Sequence, residues 1–431
     1  MQKMLYLYTL FGAELRQPSK EIKDAIWLMG LQGVNYLVPL FVWPYLMLVL
    51  GAEQFGVYSF GIALAQYLTL LVDFGFNLTA TKQIAVSRDN KEETHRTYTA
   101  TMAAKLLLLA TSSLIVVVVS LVPTFAPYRA IVWITWLIVV GNTFSMFWLF
   151  QGIGRVRLVA IINAVVKVLI LPLTFVFVRS QADVYIAAWI QVAVLLLSGL
   201  VTVMMTEKMD LAHIRPIVWT DVREQLKSSW SIFLSNAATS TYTTLFVVLL
   251  ACFVSTDEVG RYAAAEKLMR CACFMVWIPI SQAYFPKISH LCQENTIEAE
   301  KLIHKLTLFS IAALGLVGVL LVIGAEPISR FFGKDYTGIG ELMLIVAVVP
   351  ILVGVGGVQG QMGLIASGNE NDKKAFRNVY LVAGLIALGS VSAFSSLWGA
   401  NGAALSLVLT EGFVCCAMCV LNAKRRKTCR K

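Results

Sequence analysis

The chain is poor in charge. Of its 431 residues only 14% are Asp, Glu, Lys or Arg, whereas 58% are hydrophobic and the mean hydropathy is +0.75. Soluble domains carry about 25% charged residues, and a soluble chain of this length needs a polar shell around each of several cores. Thirty-five basic and 25 acidic side chains cannot supply that shell (35 Lys and Arg, 25 Asp and Glu). A soluble enzyme is therefore excluded, and lipid is the expected solvent for most of the outer surface. Signatures of metal and cofactor chemistry are missing too. The 4 His are scattered, no paired CxxC motifs occur and there is no GxxxxGK[ST] phosphate loop. Most of the 8 Cys, such as Cys252, Cys273 and Cys415, sit inside apolar runs and read as small packing side chains. No metal or cofactor is expected, and no loop is long enough for a catalytic domain.

What is present is a series of apolar runs. A membrane-crossing helix takes about 20 mostly apolar residues, and splitting the runs at polar or Gly/Pro-bearing loops predicts about twelve spans. They are 24–50, 55–80, 99–122, 129–150, 157–178, 184–206, 227–253, 259–285, 303–324, 339–366, 376–397 and 401–423. Residues 1–23 read as a cytoplasmic, interfacial segment ahead of a retained first span. The expected fold class is an all-α polytopic membrane protein.

The net charge of +10 has a topological origin. Loops on one side hold Lys82, Arg88, Lys91 and Arg96, then Lys208, Arg215, Arg223 and Lys227. Lys287, Lys301, Lys305, Lys373, Lys374, Arg377 and the tail from Lys424 to Lys431 continue that side. The opposite loops hold only Arg129, Arg179, Arg261, Arg330 and Lys334. Cytoplasmic loops carry the excess of Lys and Arg, so both termini are expected in the cytoplasm. Charge distributed this way needs no nucleic-acid partner.

The sequence also repeats. Ala52, Phe55, Gly56, Val57 and Tyr58 return at one constant offset as Thr256, Val259, Gly260, Arg261 and Tyr262, and Gln83–Ile84 returns as Lys287–Ile288. Duplication of this kind is a common way to build a transporter. It predicts two pseudosymmetric six-helix lobes around a central cavity that opens alternately to either side. The N-lobe is 24–206, a cytoplasmic linker 207–226, the C-lobe 227–423 and a basic tail 424–431.

Polar residues at helical spacing share one face of four spans. These stripes contain Asn35 in the first span, Gln66, Asp73 and Asn77 in the second, Asn236 in the seventh and Tyr262 in the eighth. Charges are more telling, since one at mid-bilayer costs about 2.5–3.5 kcal/mol. Arg270, Lys267 and Lys167 are the candidate cavity cations, with Asn163 one turn before Lys167. Glu266 stands four residues before Arg270, within pairing distance. Asp73 and Glu411 are acids that pair with these cations or carry a coupling proton. Lys105 lies close enough to the cytoplasmic end to snorkel. A cavity with such cations suits an anion, which a guanidinium or ammonium in a low-dielectric setting attracts far more strongly than in water. The glycines of span ten, Gly354 to Gly363, read as a close-packing or bending segment.

Several runs are recognisable. Gly33–Val34–Asn35–Tyr36–Leu37–Val38–Pro39, Pro44–Tyr45–Leu46, Phe55–Gly56–Val57–Tyr58 and Phe74–Gly75–Phe76–Asn77–Leu78–Thr79 strongly resemble polysaccharide flippases of the O-antigen transporter type. These belong to the multidrug/oligosaccharidyl-lipid/polysaccharide exporter superfamily. Val259–Gly260–Arg261–Tyr262–Ala263 and Phe285–Pro286–Lys287–Ile288 extend the likeness into the second half. The resemblance implies twelve helices in two lobes of the bacterial inner membrane. It implies a substrate of undecaprenyl-pyrophosphate carrying one oligosaccharide repeat unit, flipped from cytoplasm to periplasm, and membrane lipid, a polysaccharide polymerase and a chain-length regulator as partners. The family supplies no fixed motif that assigns site residues, so Arg270, Lys267 and Lys167 rest on the charge argument alone.

Two other functions compete with a flippase. A drug or cation antiporter of the same superfamily needs a cavity that favours cations. A membrane-embedded polysaccharide polymerase needs a sizeable acidic outer loop, and the loop at 325–338 offers only Glu326 and Asp335. No nucleotide site is visible, so an ion gradient is the expected source of energy.

Overall fold

A computed structural model describes residues 20–87, 90–366 and 369–429, with side chains from Leu37 to Arg426 except those of Val156 and Tyr242. Most of the expected interfacial segment 1–23, and the side chain of Asn35, lie outside the described residues. Among those residues there are helices and no strand.

The first half comprises α1 (Lys20–Asp73), α2 (Phe76–Val86), α3 (Lys91–Leu121), α4 (Arg129–Thr143), α5 (Phe147–Gly152), α6 (Val156–Val168), α7 (Ile170–Phe177) and α8 (Val184–Lys208). The second comprises α9 (Trp219–Thr243), α10 (Phe246–Leu250), α11 (Thr256–Glu294), α12 (Thr296–Phe332), α13 (Ile339–Val346), α14 (Val349–Gly357) and α15 (Glu370–Cys429). A π-helical stretch, Val358–Ile365, follows α14. Among the described residues, 9 stretches are long and apolar enough to cross a membrane. Two of them contain a break where the sequence separates two expected spans: α1 at Gly51 (φ 68°) and α15 at Trp398–Gly399 (φ 56° at the glycine). The expected span 227–253 is not among the 9, because α9 carries Ser, Asn and Thr where a lipid-facing helix carries apolar residues. Outward faces elsewhere are apolar, with Leu114, Ile323 and Leu385 exposed.

Several expected spans are interrupted inside the bundle, 157–178 at Leu169 and 339–366 at Ala347–Val348 among them. Span 55–80 breaks at Phe74–Gly75, both in the left-handed region. Span 129–150 breaks between Thr143 and Phe147, and span 227–253 at Thr244–Leu245. Backbone freed from a helix at membrane depth is tolerated where protein or a water-filled cavity meets it. At the 143–147 break, Met146 N donates to Thr202 Oγ1 (3.2 Å).

The most extensive contact between helices joins α1 to α11, near Gly56 and Gly260. The cation-poor end is closed across the two halves. Tyr336 Oη donates to Met47 O (3.0 Å) and Gln181 Nε2 to Asp335 Oδ2 (3.3 Å), while within the second half Arg261 Nη1 donates to Thr337 O (2.7 Å). At the cation-rich end, the only non-helical part of the expected linker is 209–218, because α9 has already begun at Trp219. That segment is tied to α3. His213 N donates to His95 Nδ1 (2.9 Å), Arg215 pairs with Glu92 and Lys91 approaches Asp210 at 3.6 Å. Arg96 forms a two-pronged pair with Asp221 of α9 (2.6 and 2.7 Å).

Candidate functional site

α11 presents three charges within two turns towards α1 and α9. Arg270 Nε donates to Glu266 Oε1 at 2.7 Å, the i,i+4 pairing that the spacing predicts. Both side chains are largely buried, at 15% and 7% exposure. Among the described residues Arg270 Nη2 is buried without a hydrogen-bond partner, which leaves part of the guanidinium's donor capacity unspent there. Lys267 Nζ donates to Ser59 Oγ (3.3 Å) and lies 5.6 Å from the Trp43 ring centroid and 5.5 Å from that of Phe55. A hydroxyl and two ring faces compensate an ammonium only partly. Glu266, Lys267 and Arg270 line a cavity of about 110 Å³ with Gln66, Thr243 and Thr244. The lining carries one excess positive charge. Glu411 of α15 is buried within electrostatic reach of Arg270 but does not line the cavity. Tyr262 is fully buried one turn before Glu266, its hydroxyl unpartnered.

A second polar cavity, of about 250 Å³, lies within the first half. Asp73, Asn77, Lys105, Asn142, Ser145, Asn163, Lys167 and Ser198 line it. Lys105 corrects an expectation. Its side chain is 1% exposed and its Nζ donates to Asp73 Oδ1 at 3.0 Å, so it turns inward instead of snorkelling. A carboxylate within reach on α1 compensates an ammonium better than apolar burial of its stem alone. Ser198 Oγ donates to Asn163 Oδ1 across α6 and α8.

The candidate residues therefore fall into two groups. Arg270, Lys267, Glu266 and Gln66 converge at one cavity, with Glu411 and Tyr262 beside it. Lys167, Asp73, Asn77 and Asn163 converge at the other. Asn236 is exposed on α9 and lines neither cavity. Lys167 does not join Lys267 and Arg270, because depth in a span does not determine which neighbour a helix face meets. Sequence reasoning missed Trp43, Ser59, Asn142 and Ser145. The last two were detectable as a polar cluster, Asn142–Thr143–Phe144–Ser145, inside an apolar run.

A helical membrane bundle with buried charges around internal polar cavities is the architecture of a transporter, and solved structures share the fold. One, titled lipid II flippase MurJ in an inward closed conformation, aligns with a TM-score of 0.68 at 13% identity over 92% of this chain and 86% of that one. Another, an inward-facing multidrug-resistance MATE family transporter of the MOP superfamily, aligns at 0.65 and 13% over 91% and 98%. In sequence, residues 22–292 match the family described as polysaccharide biosynthesis protein, and the chain belongs to that family. A candidate O-antigen transporter of Escherichia coli (strain K12) is 30% identical over 91% of this chain and 94% of its own length. One of Shigella dysenteriae is 29% identical over 90% and 96%. These relatives and neighbours are transporters and flippases, not enzymes. The expected resemblance and the all-α polytopic fold are borne out.

Proposed function

We propose that this protein flips a lipid-linked oligosaccharide, undecaprenyl-pyrophosphate bearing a repeat unit of O-antigen or a similar surface polysaccharide. Movement runs from the cytoplasmic to the periplasmic leaflet of the bacterial inner membrane. The observation that carries this reading is the Lys267–Arg270 pair, buried beside a single lining carboxylate where α1, α9 and α11 meet. A pyrophosphate is the complementary anion. It meets the unspent Nη2 of Arg270 and the ammonium of Lys267, while the isoprenoid tail stays in lipid and the sugars occupy polar space. An excess of positive charge disfavours a drug or metal cation as cargo.

The two-lobe division at 207–226 and alternating rocking of twelve helices belong to the same proposal. Contacts cross the halves at both ends in this conformation, through Tyr336–Met47 and Gln181–Asp335 at the cation-poor end and Arg96–Asp221 at the cation-rich end, so entry from the cation-rich end requires that last pair to part. That end is the cytoplasmic one if Lys and Arg set the orientation and both termini are cytoplasmic. Glu411, beside Arg270, is the acid placed to couple transport to a proton or other ion gradient. A polymerase and a chain-length regulator then act on the units delivered.

Deletion followed by analysis of lipid-linked intermediates tests the reading. Single repeat units are expected to accumulate in the cytoplasmic leaflet. Units that reach the outer leaflet but stay unpolymerised overturn it.

A further inference from the structure

The second cavity has features that the pyrophosphate does not explain. Two of the interrupted spans border it. Asp73 and Asn77 flank the Phe74–Gly75 break, while Asn142 stands just before the break between α4 and α5 and Ser145 lies within it. Interrupting a helix inside a membrane costs backbone hydrogen bonds, so two interruptions at one cavity mark a polar chamber. Part of its lining is internally satisfied, through Lys105–Asp73 and Ser198–Asn163. Among the described residues no side-chain hydrogen bond is made by Asn77 or Asn142, and their amides offer donors and acceptors to an occupant.

The two linings share a charge balance, two cations and one carboxylate, but differ in room and in amide content. The first, about 110 Å³, sets Glu266, Lys267 and Arg270 among Trp43, Ile62, Ala63 and Val247 and suits a compact anion. The second, about 250 Å³, adds the amides of Asn77, Asn142 and Asn163 and the hydroxyls of Ser145 and Ser198 to Asp73, Lys105 and Lys167, and suits a ring bearing several hydroxyls. The two cavities also share a helix face. Gln66 lines one and Asp73 the other, seven residues apart on α1, a separation of about 10 Å at 1.5 Å rise per residue. That spacing is on the scale of a pyrophosphate joined to one sugar. Thr69 lies between them, its hydroxyl buried and, among the described residues, without a partner.

We infer that the cavity bounded by Asn77, Asn142 and Ser145 is a saccharide subsite that receives the sugar attached to the pyrophosphate and sets which repeat units are carried. The inference rests on the flippase reading and deepens it. A cation-coupling site is the competing use of such a chamber. It is disfavoured because Asp73 already holds Lys105 at 3.0 Å, and Lys105 and Lys167 outnumber that one carboxylate.

The test uses the full chain in a host lacking its own flippase. The host is supplied in turn with two lipid-linked repeat units, one beginning with an N-acetylhexosamine and the other with a neutral hexose. Outer-leaflet delivery of each is measured for the wild type, Asn77→Ala/Asn142→Ala and Ser145→Ala, with a fluorescent fusion reporting insertion. Where the double variant fails to insert, Asn142→Ser replaces it. Loss of a hydrogen bond to one sugar but not the other is expected to change the ratio of the two deliveries by about tenfold. A ratio unchanged from the wild type overturns the subsite, whether both deliveries fall together or neither falls. Delivery of neither unit by the wild type overturns the flippase reading itself.

Discussion

Gly56 and Gly260 meet reciprocally where α1 crosses α11. A Cβ built on Gly56 would lie 2.0 Å from Thr256 O, and one on Gly260 would lie 1.8 Å from Ala52 O. Thr256 stands to Gly260 as Ala52 stands to Gly56, four residues earlier in each copy of the repeat. Each glycine thus approaches the carbonyl that its counterpart's copy contributes, which is the contact a pseudo-two-fold axis between the helices requires. Tyr58 and Tyr262, also matched by the repeat, are both buried close by.

Gly56→Ala and Gly260→Ala are therefore expected to destabilise the protein. In an open helix the change to Ala gains about 1 kcal/mol. Here the methyl group meets a backbone carbonyl that cannot rotate away, and overpacking of this kind costs about 1–3 kcal/mol. Each variant should unfold at lower temperature than the wild type in detergent, measured by fluorescence-detected size exclusion after heating. An increase in melting temperature would show that the helices separate freely at this point.

The repeat that underlies this crossing was legible because its glycines stay in register, whereas the contact between them was not. Glu266–Arg270 was legible for a related reason, since an i,i+4 pair depends on one helix only. Lys105–Asp73 was not, because its partner lies on a different helix and apolar sequence between them carries no record of facing. The same limit grouped Lys167 with Arg270, whereas the two line different cavities: periodicity reports a residue's depth and face, not the neighbour that face meets. Breaks at Phe74–Gly75 and between Thr143 and Phe147 were not predicted, although polar residues mark both, Asp73 and Asn77 at one and Asn142 and Ser145 at the other, because the apolar runs continue on either side.

Lys105–Asp73 makes a prediction that needs a double mutant. Removing one partner leaves the other charged and uncompensated in a largely buried place, at a cost of about 3–5 kcal/mol. Lys105→Met and Asp73→Asn should each lower thermal stability clearly. The double variant should recover much of that loss, because no charge remains to be desolvated. Additive losses would place the pair in water.

The Arg96–Asp221 pair at the cation-rich end gives a pH dependence. Hydrogen bonding from Arg96 holds the Asp221 carboxyl below its ordinary value of 3.8. A carboxylate with a depressed folded-state pKa contributes stability above its unfolded value and loses it as pH falls through the folded one. Asp221→Asn should therefore cost about 1 kcal/mol at neutral pH, a modest figure because the Arg96 side chain is 54% exposed. The difference between variant and wild type should begin to shrink near pH 3.8 and vanish at lower pH. Chemical denaturation of both proteins across that range measures it, and a difference independent of pH would assign the cost to packing.

Arg270 is the most exacting case, because it is both a structural partner and the proposed pyrophosphate ligand. Arg270→Ala strands Glu266 at 7% exposure, so loss of transport in that variant alone does not separate misfolding from loss of function. Arg270→Ala combined with Glu266→Gln removes both charges and should insert at close to wild-type levels. If Arg270 serves only to neutralise Glu266, this double variant transports normally. If the guanidinium receives the pyrophosphate, insertion recovers and transport does not. Arg270→Lys then supplies a graded answer: it keeps the charge but loses the planar fork, and should transport about tenfold less than the wild type. Outer-leaflet delivery of lipid-linked units, normalised to inserted protein, distinguishes the two outcomes.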